Sequence, residues 1–252
     1  MSNLNGKRIV ITGGTSGMGE AMVKAFPARG AKVVFWGRNE TAGKRLEEET
    51  GAVFLKTEIS SQAAVEASMQ KSAEILGGID VLLNAAGIAP GSPAEAITEE
   101  SWELVMKTNA TGTYLTNVAV FPYMKEHGGN IINFTSAGGI QGYKGKAHYA
   151  ASKGAVTAWT RSIAMEWAQY NIRANMIAPA IWTPMYDKTR ASMTPEQLKA
   201  HDAVMAASVP LGGKLGDLEK DFIPIMEFLA SDDAHFMTGQ VFSIDGGTLM
   251  MR

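Results

Sequence analysis

The sequence contains no cysteine. Disulfides, thiolate metal sites and a cysteine nucleophile are therefore excluded, and a reducing cytosol suits the chain. Histidine is scarce too. The four, His127, His148, His201 and His235, stand far apart, without the close pairing of a histidine metal site. Neither sign of charge dominates: the formal net charge is −2 and the isoelectric point about 6.1. That balance carries no basic footprint for a nucleic-acid partner. No apolar run approaches the ~18 residues of a membrane span. The opening MSNLNGKRIVITGG has no long apolar stretch followed by a cleavage site, so no signal peptide is read and a cytoplasmic location is expected. Repeats, low-complexity tracts and linkers are missing as well. What remains is 252 residues, 46% hydrophobic and 19% charged, enough to bury a substantial core in one domain spanning 1–252.

Short β-branched runs alternate with helical patterns along the chain, which predicts a parallel sheet covered on both faces. The first run, Lys7 to Thr12, ends in Gly13-Gly14-Thr15-Ser16-Gly17-Met18-Gly19 and enters a helix. Strand, glycine loop and helix form the dinucleotide-binding opening: glycines let the backbone approach a pyrophosphate, and the helix N-terminus offers free N–H groups. The second run, Ala31 to Trp36, is followed by Gly37 and Arg38. An acidic residue at this strand end would accept from a ribose 2′-OH, whereas an arginine suits a 2′-phosphate, so NADP (NADPH) is favoured over NAD. The third run, Val53 to Lys56, leads to Glu58-Ile59, where an adenine ring could lie. The fourth ends in Asn84-Ala85-Ala86-Gly87, small residues that admit a ligand close to the backbone.

Thr98 to His127 reads as a long helical region broken at Asn109-Ala-Thr-Gly112, an unfavourable run inside a helix. Such a break is tolerated where a freed carbonyl holds something, such as a water. A strand at 131–135 then closes on Ser136. Thirteen positions later comes Tyr149, and one helical turn beyond that Lys153. Residues four apart share a helix face. An ammonium beside a phenol favours the phenolate, which would draw the tyrosine below its ordinary pKa of about 10 and make it a usable general acid or base. His148 is expected to point away, to solvent or an interface. From Ile181 to Leu211 the pattern loosens, with Trp182, Met185, Tyr186, Met193 and Met205 among polar residues, and reads as a helical lid.

Taken together these runs resemble the short-chain dehydrogenase/reductase family, in its single-domain, 3-oxoacyl reductase-like oxidoreductase branch. The motifs stand in the family's order over essentially the whole chain: Thr12 to Gly19, Asn84 to Gly87, Asn109, Ser136, Tyr149-xxx-Lys153, Ile172 to Pro179 and Thr238 to Gly247. The resemblance implies a Rossmann-type, doubly wound α/β fold with a seven-stranded parallel sheet in the order 3-2-1-4-5-6-7. It implies hydride transfer between nicotinamide C4 and a carbonyl or secondary alcohol. Tyr149 would be the general acid or base, and Lys153 would tune it and hold the nicotinamide ribose. Ser136 would bind the substrate oxygen, and Asn109 would hold a water in a proton relay. Gly13, Thr15, Ser16, Gly17, Met18 and Gly19 would carry the pyrophosphate, with Arg38, Glu58, Ile59, Asn84, Ala85, Ala86 and Gly87 around the adenosine half. Pro179, Ile181 and Thr183 would lie by the nicotinamide. A homotetramer is implied, with helices near 101–127 and 149–169 at one interface.

Three departures from the family pattern bear on these assignments. Pro179 is followed by Ala180 instead of glycine. Thr183 comes one residue earlier than the pattern has it. The glycine loop lacks an accompanying basic residue, which leaves Arg38 to carry the NADP inference almost alone. The substrate walls are expected at Ile88, Ile140, Tyr143 and Trp182, enclosing a hydrophobic carbonyl or alcohol with no nucleic-acid or membrane partner. Other readings are an NAD-dependent alcohol dehydrogenase of the same family and a non-catalytic dinucleotide sensor, which would keep the glycine loop without the full Ser/Tyr/Lys/Asn set. A serine hydrolase is opposed by Phe134, which occupies the first glycine position of a Gly-x-Ser-x-Gly elbow around Ser136.

Overall fold

The computed structural model describes residues 3–250; Met1, Ser2, Met251 and Arg252 lie outside the described residues. Seven strands form one all-parallel sheet: β1 (Arg8–Thr12), β2 (Lys32–Gly37), β3 (Val53–Lys56), β4 (Val81–Asn84), β5 (Gly129–Phe134), β6 (Ile172–Pro179) and β7 (Val241–Ile244). Their spatial order is β3-β2-β1-β4-β5-β6-β7. The order reverses between β1 and β4, where consecutive crossovers leave in opposite directions. Ligands of open α/β sheets gather at that switch point, beyond the carboxyl ends of the strands.

The helices are α1 (Gly17–Ala25), α2 (Glu40–Thr50), α3 (Gln62–Leu76), α4 (Glu99–Val105), α5 (Gly112–Met124), α6 (Gly138–Gln141), α7 (Ala147–Glu166), α8 (Pro184–Ala191), α9 (Pro195–Ser208) and α10 (Ile223–Ala230). Their ends follow local chemistry. The Asn39 side chain accepts from the Ala42 N–H to start α2, and Thr194 with Gln197 forms a capping box at α9. The strands are apolar on both faces because two cores sandwich the sheet. One holds Ile9, Ile11, Phe35, Leu83, Ile132 and Met226; the other holds Val10, Trp36, Leu82, Met69, Ile131 and Ile163.

The break expected in the 98–127 helix is a wide, π-helical turn at Met106–Thr111. The Gly112 N–H there reaches back five residues, to the Lys107 carbonyl, instead of four. A second wide turn, Leu218–Phe222, precedes α10, whose regular part starts only at Ile223.

A polar network crosses the second core beneath the site. Asn133 Oδ1 accepts from Asn84 Nδ2 at 2.8 Å and from Asn117 Nδ2 at 3.2 Å. Asn133 Nδ2 donates to Asn117 Oδ1 at 2.9 Å and Thr160 Oγ1 at 2.8 Å, with Asn133 wholly buried. Asn84, expected beside the adenosine, is thus a strut joining β4 to β5, and it also accepts from Thr116. Replacing Asn133 by alanine strands the Asn84 and Asn117 amides in an apolar layer. The expected loss of stability is about 3 kcal/mol, read as a lowered urea midpoint at unchanged slope.

Candidate active site

The loop after β1 is shaped by what its glycines leave out. A Cβ on Gly13 would stand 2.7 Å from the Ala86 backbone, and one on Gly19 would lie 2.7 Å or less from the Gly13 carbonyl group. Gly17 has φ +56°, and a Cβ there would point into open space. The loop therefore presses against the end of β4 on one side and presents bare backbone on the other. Two adjoining cavities open along it. One, about 270 Å³, is lined by Gly13, Thr15, Ser16, Arg38, Glu58, Ile59, Ala86 and Gly87. The other, about 430 Å³, runs past Ser16 to Gly19, Ala85 to Ala89, Phe134, Tyr149, Lys153, Pro179, Thr183 and Met185. A bare-backbone cradle at a helix N-terminus, open to a long bipartite cleft, fits a dinucleotide: adenosine in the first cavity, pyrophosphate on Ser16 to Gly19, nicotinamide in the second.

At the mouth of the first cavity Arg38 Nη1 and Glu58 Oε2 form an ion pair at 3.7 Å. The other Glu58 oxygen accepts from the Ser60 N–H at 3.2 Å and the Ser60 hydroxyl at 2.9 Å. The carboxylate is thus fixed on its own loop and aimed across the opening.

The second cavity is lined by two of the residues expected to react, Tyr149 and Lys153. Thr135, just past β5, donates to the Lys153 carbonyl at 3.1 Å and pairs with Thr157 at 2.7 Å, which staples the strand end to α7. A Cβ on Gly139 would come within 2.6 Å of the Lys153 backbone, so α6 can lie on α7 only because residue 139 has no side chain. These contacts bring Ser136 beside Tyr149. Burial pushes the Tyr149 phenol above its ordinary pKa, and Ser136 pulls it partly back. Lys153 is not what tunes it here. Its Nζ lies 5.9 Å from the Tyr149 ring centre and donates to the Phe134 carbonyl at 2.7 Å. Burial lowers the Lys153 ammonium to about 8. The sequence expectation of a phenol drawn down by the neighbouring ammonium is therefore corrected: the desolvation of both groups outweighs their mutual effect.

Asn109 is wholly buried, set inward by the wide turn. Its Oδ1 accepts from the Ile88 N–H at 2.9 Å, while Nδ2 donates to the Ile88 carbonyl at 2.9 Å and to Ser152 Oγ at 3.0 Å. A Cβ on Gly87 would lie 3.2 Å from Asn109 Oδ1 and 3.4 Å from Lys153 Nζ, so these three residues meet. The Asn109 amide is spent on tying the segment after β4 to α7. What faces Lys153 is a lone pair on Oδ1.

Several expected residues sit elsewhere. Ile181 has its side chain buried in the core, bridges to Gly216 and does not line the second cavity. Trp182, expected as a substrate wall, belongs to the interior of the lid. Its indole N–H donates to Asp187 at 2.7 Å, the Arg190 guanidinium lies 5.0 Å from its ring centre, and Tyr186 meets it edge-on. Tyr186 also pairs with His201 at 2.6 Å, and Arg190 with Asp202. Trp182, Tyr186 and Met205 thus line a separate cleft, while Thr183, Pro184, Met185 and Lys188 are the lid residues along the second cavity. Met193 sits in the turn joining α8 to α9. Thr183 caps α8 and lines the cavity despite its early position. Ile140 and Tyr143 are 39% and 54% exposed, at the rim near Ser136 and not inside the second cavity. His148 is fully buried on the α7 face that carries Ser152, contrary to the expected outward position. The supporting residues Thr135, Gly139, Ser152 and Thr157 were not read from sequence; only the double glycine at 138–139 hinted at a close approach.

A larger cleft, about 630 Å³, lies at the other end of the sheet, by Asp80, Asn130, Arg173 and Phe236. Its charges are engaged locally: Lys7 with Asp232, Asp80 with Arg8, and Arg173 with the Ser231 and Met237 carbonyls. The smaller, convergent cavities at the carboxyl ends are the better site on chemistry.

Known proteins agree with this geometry. A family profile described as enoyl-(acyl carrier protein) reductase matches residues 13–248. The 3-oxoacyl-[acyl-carrier-protein] reductase FabG of Chlamydia muridarum is 35% identical over 254 residues, covering 98% of each chain. The L-fucose dehydrogenase of Oryctolagus cuniculus is 34% identical over 245 residues, covering 96% of this chain and 84% of the relative. A crystal structure titled Cj0485 dehydrogenase superposes with a TM-score of 0.90 at 28% identity, covering 99% of this chain and 96% of that one. With the sheet order, the glycine cradle and these relatives in agreement, the chain belongs to the short-chain dehydrogenase/reductase family and is an NAD(P)-dependent oxidoreductase acting on the CH–OH/C=O couple.

Proposed function

We propose that the protein is an NADPH-dependent reductase of a medium-sized hydrophobic ketone or 3-oxoacyl compound, with Tyr149 as proton donor. The observation that carries this is Tyr149, with Ser136 beside its hydroxyl and Lys153 one turn away, where Tyr149 and Lys153 line the cavity that continues the glycine cradle. The dinucleotide supplies the hydride when bound. The chain's own residues do the rest. Ser136 Oγ accepts from the Gly138 N–H at 3.1 Å, and its one hydroxyl hydrogen, held here toward the Tyr149 oxygen, turns to a substrate oxygen placed between the two. Tyr149, protonated because it is buried, delivers its proton to that oxygen as negative charge builds there. Lys153, also buried, holds a positive charge one helical turn away and offers its N–H groups to a ribose hydroxyl.

Substrate class rests on the lining. Ile88, Phe134, Pro179, Pro184 and Met185 make most of the lining apolar, with Thr135, Thr183 and Lys188 as its polar side chains beyond Tyr149 and Lys153. A polyhydroxylated sugar would leave most of its hydroxyls without partners there, so an acyl or alkyl ketone is preferred. The likeness to L-fucose dehydrogenase supports the second reading, oxidation of a sugar alcohol group. NADPH preference rests on Arg38 at the first cavity. A homotetramer is proposed from the apolar faces left on α4, α5 and α7, where Leu104, Val118 and Met165 are exposed.

The test is a substrate screen with both cofactors. NADPH oxidation on 3-oxoacyl thioesters and alkyl ketones, exceeding NADH oxidation at least tenfold, is expected. Arg38→Ala should bring the two rates close together, because a charge-assisted phosphate contact is worth about 1.5–3 kcal/mol. Turnover confined to L-fucose with an oxidised cofactor would establish the second reading. Tight cofactor binding with no turnover on any substrate would make the protein a sensor.

A further inference from the structure

We infer that Glu58 is a second determinant of cofactor choice, and that it acts against Arg38. This deepens the reading of Arg38 as the 2′-phosphate contact and rests on it. Three observations carry the inference. Arg38 and Glu58 line the same cavity, so any group attached to an adenosine ribose there meets both. Their ion pair, at 3.7 Å, gives the guanidinium a partner that a 2′-phosphate must displace or share. And Ser60 holds the far oxygen of Glu58 with two hydrogen bonds, so the carboxylate cannot simply swing out of the way.

The charges decide the direction. A 2′-phosphate brings close to two negative charges at neutral pH, and a fixed carboxylate within a few ångströms of its guanidinium partner repels them. A ribose 2′-hydroxyl feels no such repulsion and can donate to the same carboxylate. Arg38 is 68% exposed and Glu58 44% in their side chains, so the effect is screened and modest. Its size is about three- to tenfold in affinity, against a larger effect of Arg38 itself. The wild-type chain therefore keeps a usable affinity for NADH, and Glu58 sets how far its preference for NADPH extends.

The experiment measures dissociation constants of NADPH and NADH by nicotinamide fluorescence, without substrate, for the wild type and for Arg38→Ala, Glu58→Gln and Glu58→Asp. Glu58→Gln keeps the length and the Ser60 contact, and should tighten NADPH about three- to tenfold while moving NADH by less than twofold. The gain should shrink as salt is raised from 20 to 500 mM, as a charge effect must. Glu58→Asp withdraws the carboxylate from Arg38 and should fall between the two. Arg38→Ala is the control for the underlying reading: if it leaves the NADPH-to-NADH ratio unchanged, Arg38 does not read the 2′-phosphate and both readings fall. If Arg38→Ala collapses the ratio but Glu58→Gln leaves NADPH binding unchanged or weakens it, the Arg38 reading stands and the Glu58 inference is overturned. An equal change for both cofactors in Glu58→Gln would also overturn it, since the carboxylate would then be shaping the loop and not selecting the 2′-group.

Discussion

Replacing Tyr149 by phenylalanine should cut turnover by about a thousandfold while leaving the dissociation constant of the cofactor within twofold. The substitution removes one oxygen and keeps the ring that packs in the cavity wall, so the fold and the glycine cradle are undisturbed. What it removes is the hydroxyl proposed to protonate the substrate oxygen. A positioned general acid contributes about 10²–10⁴ in rate, and here it also stands beside the Ser136 donor. Rate and binding must be measured separately, in a stopped-flow single turnover and by fluorescence titration. Turnover within tenfold of wild type would sink the assignment of Tyr149 as proton donor. Loss of cofactor binding would mean that the ring, not the hydroxyl, was the functional part.

The second large effect concerns Lys153, where activity and stability should move in opposite directions. Its side chain is buried, and burial holds the ammonium at about 8 against the ordinary 10.5. A lysine whose folded pKa is depressed binds its proton less well folded than unfolded. Folding is therefore penalised wherever the unfolded chain is charged, and the penalty fades as pH rises from about 8 to 10.5. That difference is worth about 3 kcal/mol at neutral pH. The hydrogen bond to the Phe134 carbonyl offsets part of it, about 1 kcal/mol. Lys153→Met should thus raise stability at pH 7 by about 1–2 kcal/mol while abolishing turnover. The sharper readout is the difference between the two proteins against pH. The advantage of the methionine variant should be nearly gone by pH 10.5, where the folded lysine is neutral and the unfolded one only half charged. Urea midpoints of both proteins at pH 7, 9 and 10.5 measure it. A constant difference across that range would show that the ammonium is not paying a burial penalty.

Lys153 and Asn109 also mark how far the sequence could be read. The parallel sheet, the glycine cradle and the pairing of Tyr149 with Lys153 followed from motifs whose chemistry is local: a strand, a loop that needs glycine, a helix with two groups one turn apart; the strand order and the place of Ser136 came with the family resemblance. The lid did not follow. Met185 and Trp182 are three residues apart with similar apolar character, yet one faces the cavity and the other the lid's interior. That choice was made by Arg190, Asp187 and Asp202, whose partners are set by tertiary packing, which composition does not encode. His148 misled for a related reason. Neighbouring Tyr149 on a helix, it was placed outside by the 100° step, but α7 packs on more than one side and buries that face as well. The sign of the Tyr149 shift was missed because spacing shows the neighbour and hides the burial.

The lid has a consequence for the thermodynamics of ligand capture. Arg190 bridges to Asp202 and Tyr186 to His201, so α8 and α9 are tied to each other by side-chain contacts, although neither helix buries a residue. A loose segment that ordered itself over a ligand would lose about 1–2 kcal/mol of backbone entropy per residue, drawn from the affinity of whatever it covered. A pair of helices already stapled to each other closes as one body, and only the few residues at its two ends change conformation. The contacts of Met185 and Thr183 with a ligand are then returned almost whole as affinity.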